Sequence, residues 1–288
     1  MRLLLSLLLV FQLAASQVIK IENKVKLSKK VEETSGIVFV DNELLTFNDS
    51  GGKPELYVLN SKSGKIKRTI KITNATNLDW ESITQDENYI YIGDTGNNAG
   101  NRKNLVVYKV NKADVKNKNK VKADKIYYAY EDQRNFKAAD HAHNFDSESI
   151  TIYQNQLLVF TKNWKDFKTN IYTVPTDKGT YIAKKVQSIN INCLLTSLDY
   201  NPQKNALIGT AYNKDYQSYL VLFKDFNLEQ SSFLKIKLTP LLNYANQVEA
   251  IAWKNNHQVF VTREASKKKL KGKNYKHKQK LFLLTLPD

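Results

Sequence analysis

A short phrase recurs five times along this chain. In each copy a Thr or Glu, a small residue and an aliphatic residue open a predicted strand, and a second strand that ends in polar residues follows about ten residues later. A repeat of this size built from strands is typical of a radial array, because each small sheet must bury its faces against its neighbours. We therefore predict an all-β fold, a β-propeller. The copies are Thr34-Ser35-Gly36-Ile37, Glu81-Ser82-Ile83, Glu148-Ser149-Ile150, Thr196-Ser197-Leu198 and Glu249-Ala250-Ile251.

Aligning the copies predicts four short strands in each repeat, rich in β-branched and aromatic residues and separated by Asn, Asp, Gly and Lys clusters. The last copy supplies only three strands, so we expect residues 18–27 to add its outer strand and close the ring. This count predicts five blades. A sixth blade in residues 110–146 is an alternative, because the spacing between Glu81 and Glu148 stretches to 67 residues. We favour an insertion there, since only residues 125–130 read as a good strand. A split barrel or a two-sheet sandwich would not explain the recurring phrase.

The first residues are typical of a secretory signal peptide, with a basic start, an apolar run over residues 3–13 and the small residues Ala14-Ala15-Ser16. The run is shorter than the roughly 20 residues that span a membrane. We expect residues 1–16 to be removed and residues 17–288 to form a single domain. The predicted product is an exported monomer that does not span a membrane and lies in the periplasm or outside the cell. Cys193 is the sole cysteine, so no intrachain disulfide can form.

The net charge of +16 would suit a nucleic acid or an anionic surface. Much of it is concentrated, however, with eight lysines within residues 267–280 and more within residues 112–125. Runs of this kind are typical of solvated faces. We therefore expect no nucleic-acid partner, and keep the docking of residues 267–280 on an acidic polymer or membrane as an alternative.

Propeller topology predicts where ligands bind. The residue that opens the first strand of a blade and the residues that follow its second strand lie at the same mouth of the central channel. Loops on a rigid scaffold and polar cavity mouths are common binding sites. The ligand-binding candidates are Glu81, Asp94, Arg102, Glu148, Lys162, Trp164, Glu249 and Arg263.

Two groups of residues are candidate metal ligands. Asp49, Asp94, Asn97 and Asn98 offer oxygen atoms of the kind that Ca²⁺ prefers, although residues 93–98 lack the spacing of an EF-hand and also suit a plain Asx-turn. His141 and His143 share one side of an extended segment and are ligands of the type that zinc or iron sites use. An ordinary polar loop is the alternative for this pair.

The chain resembles a group of exported, mostly uncharacterised β-propeller proteins of Bacteroidetes-type bacteria. The resemblance rests on residues 91–98 (YIGDTGNN) with Asn101-Arg102, and on residues 145–149 (FDSES) followed by residues 160–164 (FTKNW). A looser similarity, through Ser35-Gly36-Ile37 and the repeated Glu-Ser-Ile, is to phytase-like esterase propellers. That similarity implies hydrolysis of ester or phosphate bonds near an acidic, metal-binding mouth.

Three functions remain open at this point. The first is binding of a small-molecule, glycan or envelope ligand at the mouth, with Ca²⁺ as the candidate cofactor. The second is a metal-assisted hydrolase of phosphoester, ester or glycosidic bonds, for which paired carboxylates among Glu81, Asp94, Glu148 and Glu249 would serve, since the chain carries neither a Gly-x-Ser-x-Gly elbow nor a Walker loop. The third is a protein-interaction scaffold.

Overall fold

The computed structural model describes residues 19–230, 232–242 and 247–287. The predicted signal peptide, residues 1–16, lies outside the described residues. Within these ranges, helix is limited to a 3₁₀ turn at Lys29–Val31 and two short helices, α1 (Lys112–Asn117) and α2 (Thr239–Leu242). None of the helices in the described ranges is long and apolar enough to cross a membrane.

The rest of the regular structure is strand. In chain order the strands are β1 (Lys20–Lys26), β2 (Thr34–Val40), β3 (Glu43–Asn48), β4 (Glu55–Asn60), β5 (Ile66–Ile72), β6 (Trp80–Gln85), β7 (Tyr89–Asp94), β8 (Leu105–Asn111), β9 (Lys120–Val121), β10 (Asp124–Tyr130), β11 (Ser147–Tyr153), β12 (Gln156–Thr161), β13 (Thr169–Pro175), β14 (Gly179–Ile189), β15 (Leu194–Asn201), β16 (Ala206–Tyr212), β17 (Ser218–Phe223), β18 (Phe233–Lys237), β19 (Val248–Trp253), β20 (Gln258–Arg263), β21 (Ser266–Leu270), β22 (Lys273–His277) and β23 (Lys280–Thr285).

Most strands pair antiparallel with their neighbours in sequence. One sheet has the order β2-β3-β4-β5 with β9 added at its edge, another the order β15-β16-β17-β18, and a third the order β19-β20-β23-β1. The sets β6-β7-β8-β10 and β11-β12-β13-β14 are joined into one sheet because β10 and β14 pair in parallel. Strands β21 and β22 form a separate two-stranded hairpin.

Residues 110–146, where the sequence left a sixth blade open, contain α1, β9 and β10. Strand β10 pairs antiparallel with β8 and serves as the fourth strand of its set. The single good strand expected in this stretch is therefore present, at Asp124–Tyr130. The N-terminal strand β1 pairs antiparallel with β23, as expected for the last repeat.

The first strands of the sets contact one another in the order β2, β6, β11, β15 and β19, and β19 contacts β2 in turn. Apolar side chains fill the spaces between adjacent sheets. Trp80 is fully buried, and its ring lies 5.5 Å from the ring of Phe47 in one sheet and 5.9 Å from that of Tyr108 in another. Replacing a buried aromatic of this size with Ala typically costs about 3–5 kcal/mol. Packing between sheets therefore holds the first strands in place.

Each first strand carries a β-bulge near its start. The pairing of β6 with β7, for example, passes from Trp80–Asp94 to Ser82–Gly93 and leaves Glu81 without an opposite residue. Such a bulge re-aims a side chain relative to the regular pleat. In the first copy the bulged residue is Ser35, so the sequence alignment of Thr34 with Glu81 was one residue out of register. The bulged residues are Ser35, Glu81, Glu148, Thr196 and Glu249.

Candidate functional site

Four of the five bulged residues line a cavity of about 440 Å³ at the mouth where the first strands begin. Five carboxyl groups and two lysine ammonium groups face this cavity, so its wall is acidic although the protein as a whole is basic. The lining residues are Ser35, Asp49, Glu81, Asn98, His141, Glu148, Lys162, Trp164, Tyr212, Tyr216, Gln247, Glu249, Glu264 and Lys268.

Three carboxylates meet on one side of this cavity. Oxygen atoms of Asp49, Asp79 and Glu81 all lie within 4.8 Å of one another. We call these three residues the carboxylate cluster. Asn77 links the loop that carries Asp49 to the segment that carries Asp79 and Glu81, because its side-chain amide donates hydrogen bonds to the backbone oxygens of Asn48 (2.8 Å) and Asp49 (2.9 Å).

Gly96 packs closely against the carboxylate cluster. A Cβ atom at this position would overlap the carboxylates of Asp79 and Glu81. The backbone N–H groups of Thr95 and Gly96 donate to the backbone oxygen of Asp79 at 3.1 and 3.2 Å, which fixes the close approach. A side chain at this position would therefore push the carboxylates of Asp79 and Glu81 aside.

The carboxylate cluster shifts the protonation of its members. Burial, with the charge of Asp79, raises the pKa of Asp49 to about 7, and burial, with the charge of Asp146, raises the pKa of Asp79 to about 6. The pKa of Glu81 lies well above its ordinary value, first through burial and then through the charge of Glu148. Ser35 donates a hydrogen bond to Glu81 at 2.9 Å. At neutral pH the cluster therefore retains protons that a bound cation would displace.

An ion pair lies beside this cluster. Lys162 donates to Glu148 at 2.7 Å, and both side chains are buried. The ammonium group also lies 4.8 Å from the ring centre of Trp164 and 5.4 Å from that of Tyr212. Burial lowers the pKa of Lys162, but the neighbouring carboxylates outweigh it and hold that pKa above its ordinary range. Lys162 is therefore a fixed positive charge in the wall.

The remaining wall combines Glu249 and Glu264 with Lys268 and a pair of tyrosines. Tyr212 and Tyr216 are stacked, with ring centres 5.6 Å apart and an interplanar angle of 9°. The Lys268 ammonium lies 3.9 Å from the ring centre of Tyr216. Burial, with the charge of Glu249, raises the pKa of Glu264 to about 8.

Asp94 and Arg102, two predicted ligand-binding residues, are bonded to each other outside the cavity lining. Arg102 donates to the Asp94 carboxylate at 2.8 Å and to the backbone oxygen of Gly96 at 2.7 Å. The backbone N–H groups of Leu78 and Asp79 donate to the same carboxylate at 3.2 and 3.1 Å. Asp94 thus supports the segment that carries Asp79.

Two further candidates also serve the backbone. The Asn97 side chain donates to the backbone oxygen of Phe145 at 2.9 Å and accepts from the backbone N–H of Arg102 at 2.9 Å. Arg263 donates to the backbone oxygens of Leu242 and Lys278, both at 3.2 Å. Neither Asn97 nor Arg263 lines the cavity, whereas Asn98 does.

The two histidines of the predicted metal-binding pair have different surroundings. His141 is exposed, lines the cavity and packs against Trp164 with ring centres 4.1 Å apart. His143 uses both ring nitrogens locally, since Nε2 bonds to the backbone oxygen of Asn98 at 2.9 Å and Nδ1 accepts from the backbone N–H of Phe145 at 3.1 Å. Joint metal ligation by the two histidines would require His143 to give up one of these bonds.

Sequence reasoning missed Asp79, although a signal for it was present. Asp79 precedes Glu81 by two residues, and alternate residues of an extended segment share one side. The same spacing relates Asp146 to Glu148 and Gln247 to Glu249. Sequence reasoning also missed Tyr216, in the loop after β16, and Lys268, on β21, and only their three-dimensional placement distinguishes them.

Solved structures similar to this chain are β-propeller proteins. An exo-β-1,3-galactanase from Phanerochaete chrysosporium, solved with β-1,3-galactotriose, matches with a TM-score of 0.53 and 8% identity over 91% of this chain and 64% of that chain. A luciferin-regenerating enzyme matches with a TM-score of 0.47 and 11% identity over 88% of this chain and 77% of that chain. A chain of the mitotic checkpoint complex matches with a TM-score of 0.41 and 11% identity over 88% of this chain and 61% of that chain.

At 8% identity, the similarity to the galactanase concerns the fold alone. This chain spans less than two thirds of the length of the checkpoint and galactanase chains. No protein-family model and no curated protein matches the sequence.

Proposed function

We propose that this chain is an exported, five-bladed β-propeller that binds a ligand at the acidic mouth of its channel and a divalent cation, best met by Ca²⁺, at the carboxylate cluster. The blade count is supported by the contacts that run from β2 through β6, β11, β15 and β19 back to β2. Closure by the N-terminal strand is supported by the pairing of β1 with β23. Removal of residues 1–16, a single domain over residues 17–288, a monomeric state and a periplasmic or extracellular location are parts of the same proposal.

One observation carries the metal part of the proposal. Three carboxylates from two neighbouring sheets converge within 4.8 Å, where their charges repel one another. A proton shared among them or a bound cation relieves this repulsion. Three carboxylates can supply up to six oxygen atoms, and Ca²⁺ takes six to eight in flexible geometry.

The rest of the cavity suits the organic part of a ligand. Trp164, Tyr212 and Tyr216 offer aromatic surface, and the carboxylates of Glu249 and Glu264 can accept hydrogen bonds from hydroxyl or ammonium groups. Lys162 holds the charge of Glu148 in place. A small polar molecule or a glycan end fits a cavity of about 440 Å³.

Calorimetric titration of the chelator-treated protein with Ca²⁺ tests the proposal, with Mg²⁺ and Zn²⁺ run in parallel. We expect one Ca²⁺ per chain and a thermal stabilisation that EDTA reverses. Selective binding of Zn²⁺ would indicate a metal site at His141 rather than at the carboxylate cluster. No heat and no thermal shift with any of the three ions would contradict the metal part of the proposal.

A hydrolase is the second candidate function. It is favoured by Glu81, a buried carboxyl with a raised pKa, since a general acid must hold its proton near neutral pH. The similar galactanase shares the fold at 8% identity, which does not transfer its reaction. Chromogenic glycosides, esters and phosphoesters, assayed with wild type, Glu81→Gln and Glu148→Gln, test this candidate. Turnover that both substitutions leave unchanged would exclude these two residues as its catalytic groups.

The scaffold alternative is supported by the exposed lysines of the β21–β22 hairpin. Lys267, Lys269 and Lys276 are all exposed, and Lys267 and Lys276 lie opposite each other in the pairing. Binding to an acidic polysaccharide should then fall steeply with salt. Triple replacement of these lysines with Ser, compared with the same change at Lys116, Lys118 and Lys120 on another surface, would separate hairpin docking from general charge attraction.

A further inference from the structure

The side of the mouth away from the carboxylate cluster already holds an organic cation, the side chain of Lys268. Its ammonium group lies 3.9 Å from the ring centre of Tyr216 and 5.9 Å from that of Tyr212. Glu249 and Glu264 line the same cavity. Burial lowers the pKa of Lys268 below its ordinary value, and the charges of these two carboxyl groups oppose that lowering. Stacked rings beside carboxylates are an arrangement that favours an organic ammonium ion.

The two lysines of the mouth differ in how they are held. Lys162 follows β12, a central strand of its sheet, and is bonded to Glu148 at 2.7 Å. Lys268 lies on β21, which pairs only with β22 within the described part of the chain. Lys162 is thus part of the rigid wall, while Lys268 is carried by a projecting element.

Backbone hydrogen bonds tie the base of the hairpin to the segment that follows β1. The backbone N–H of Ala265 donates to Glu32 at 2.8 Å on one side, and that of Leu27 donates to Gln279 at 3.3 Å on the other. Near the tip, an exposed ion pair joins Lys271 to Asp215 at 3.6 Å, and such pairs contribute little. Movement of the hairpin would therefore remove Lys268 without disrupting any of the larger sheets.

Alternation along β21 makes Lys268 the lysine that turns inward. Lys267 and Lys269 are exposed, whereas Lys268 is half-buried and lines the cavity. Without its ammonium group, the lining would keep five carboxyl groups and a single lysine, Lys162. The position vacated by Lys268 would then require another cation.

We infer that the organic ligand of this mouth carries a primary ammonium group, and that Lys268 occupies the subsite of that group between Tyr216, Tyr212, Glu249 and Glu264 until the ligand displaces it. This inference rests on the proposed ligand-binding function and specifies its ligand class. A metal ion would use the carboxylates but gain nothing from the rings. An organic ammonium uses both.

Replacement of Lys268 by Ala, followed by titration with n-butylammonium, tests the inference. The added ion has the four-carbon length of a whole lysine side chain and should refill the subsite. We expect Lys268→Ala to bind it at least tenfold more tightly than wild type, with perturbed NMR signals of the Tyr216 ring. The matched variant Lys269→Ala removes a solvent-facing lysine from the same strand and should behave as wild type.

Two further measurements make the test specific. The neutral analogue 1-butanol should not bind Lys268→Ala, and Tyr216→Leu in the Lys268→Ala background should lose the butylammonium response. Equal affinity of butylammonium for wild type and Lys268→Ala, or binding that survives Tyr216→Leu, would overturn the inference. If Lys268→Ala does not fold, Lys268→Val suits the strand and removes the side chain only beyond Cγ, and the same outcomes apply with ethylammonium as the probe.

A Ca²⁺ titration of Lys268→Ala keeps this inference distinct from the proposed metal site. Retained Ca²⁺ binding without a butylammonium response would refute the ammonium subsite alone. A butylammonium response without Ca²⁺ binding would refute the metal site alone.

Discussion

Asp94 and Glu81 lie on paired strands beside the same channel mouth, yet their carboxylates have opposite surroundings. The Asp94 carboxylate receives a guanidinium and two backbone N–H groups, so its charge is compensated by the fold. Glu81 receives one hydroxyl, from Ser35, and otherwise faces the carboxylates of Asp49 and Asp79. Asp94 therefore stabilises the fold. Glu81 is instead repelled by its neighbouring carboxylates, and a bound cation can relieve that repulsion.

This contrast shows why an acid at a cavity mouth is not by itself a site residue. The partners of a carboxylate decide whether it has capacity left for a ligand. By that criterion, Asp94, Arg102, Asn97 and His143 hold the loops of the mouth together. We expect Asp49, Asp79, Glu81, Glu249 and Glu264 to retain capacity for a ligand.

The largest effect should follow the loss of Asp94. Asp94→Ala leaves the largely buried Arg102 without its ion pair and removes the acceptor of two backbone N–H groups. We expect a loss of about 3–5 kcal/mol in the free energy of unfolding, measured by urea denaturation.

The control for that prediction is Asp41→Asn, which breaks an exposed pair with Lys116, tolerates the positive φ of this turn and should cost no more than about 1 kcal/mol. A stable Asp94→Ala protein that had lost its Ca²⁺ response would contradict the structural role and restore Asp94 to the ligand set.

The second prediction concerns Glu81→Gln, which keeps the side-chain size and removes the charge. The variant should lose the Ca²⁺ stabilisation, which would be about 2.7 kcal/mol for wild type at a Ca²⁺ concentration one hundred times Kd. Its stability without metal should be equal to or above that of wild type, because a repelling carboxylate has gone. Thermal melts with and without Ca²⁺ measure both quantities.

Glu264→Gln is the matched control for Glu81→Gln, since Glu264 lines the same cavity outside the carboxylate cluster. It should keep most of the Ca²⁺ response. Equal losses in both variants would show that the overall charge of the mouth, rather than the cluster, binds the ion.

The third prediction applies the same criterion to the two histidines. His143→Ala removes two hydrogen bonds to backbone groups and should cost about 1–3 kcal/mol. His141→Asn affects an exposed side chain, tolerates the positive φ of this position and should change stability by less than about 0.5 kcal/mol. If both variants instead lost a zinc-dependent rise in Tm to the same extent, the histidines would form a joint metal site.

Much of the architecture was readable from the sequence because it depends on local patterns. The recurring phrase and short β-branched strands indicated the propeller-like organisation, and Glu81, Glu148 and Glu249 were correctly expected to share one mouth. The structural neighbours support the fold class. The individual roles of the site residues stay predictions.

What escaped the sequence depends on pairing between distant residues. The bulge that aligns Ser35, rather than Thr34, with Glu81 is set by the register between β2 and β3. The turn of Arg102 back onto Asp94 depends on the path of its loop. The direction of Lys268 depends on the register of β21 with β22, and a run of lysines looks uniformly solvated until that register is known.

The last prediction concerns the pH dependence of stability without metal. The pKa values of Asp49, about 7, and Asp79, about 6, lie above the ordinary value of 3.8 that these groups would have in the unfolded chain. Between roughly pH 4 and 7 the folded state therefore holds more protons than the unfolded state, so stability must fall as pH rises through this window. Each proton contributes at most about 1.4 kcal/mol per pH unit, and solvent exposure of the two groups reduces that.

Urea denaturation at pH 5 and pH 7.5, with EDTA present, measures this slope. Asp49→Asn should flatten it, whereas Asp41→Asn, in an exposed ion pair away from the carboxylate cluster, should not. Saturating Ca²⁺ should also flatten or reverse the slope in wild type, since the metal binds the deprotonated cluster and becomes more effective as pH rises. If Asp49→Asn and Ca²⁺ both left the slope unchanged, the carboxylates of the cluster would not repel one another as proposed. The electrostatic difference between Asp94 and Glu81 would then be wrong.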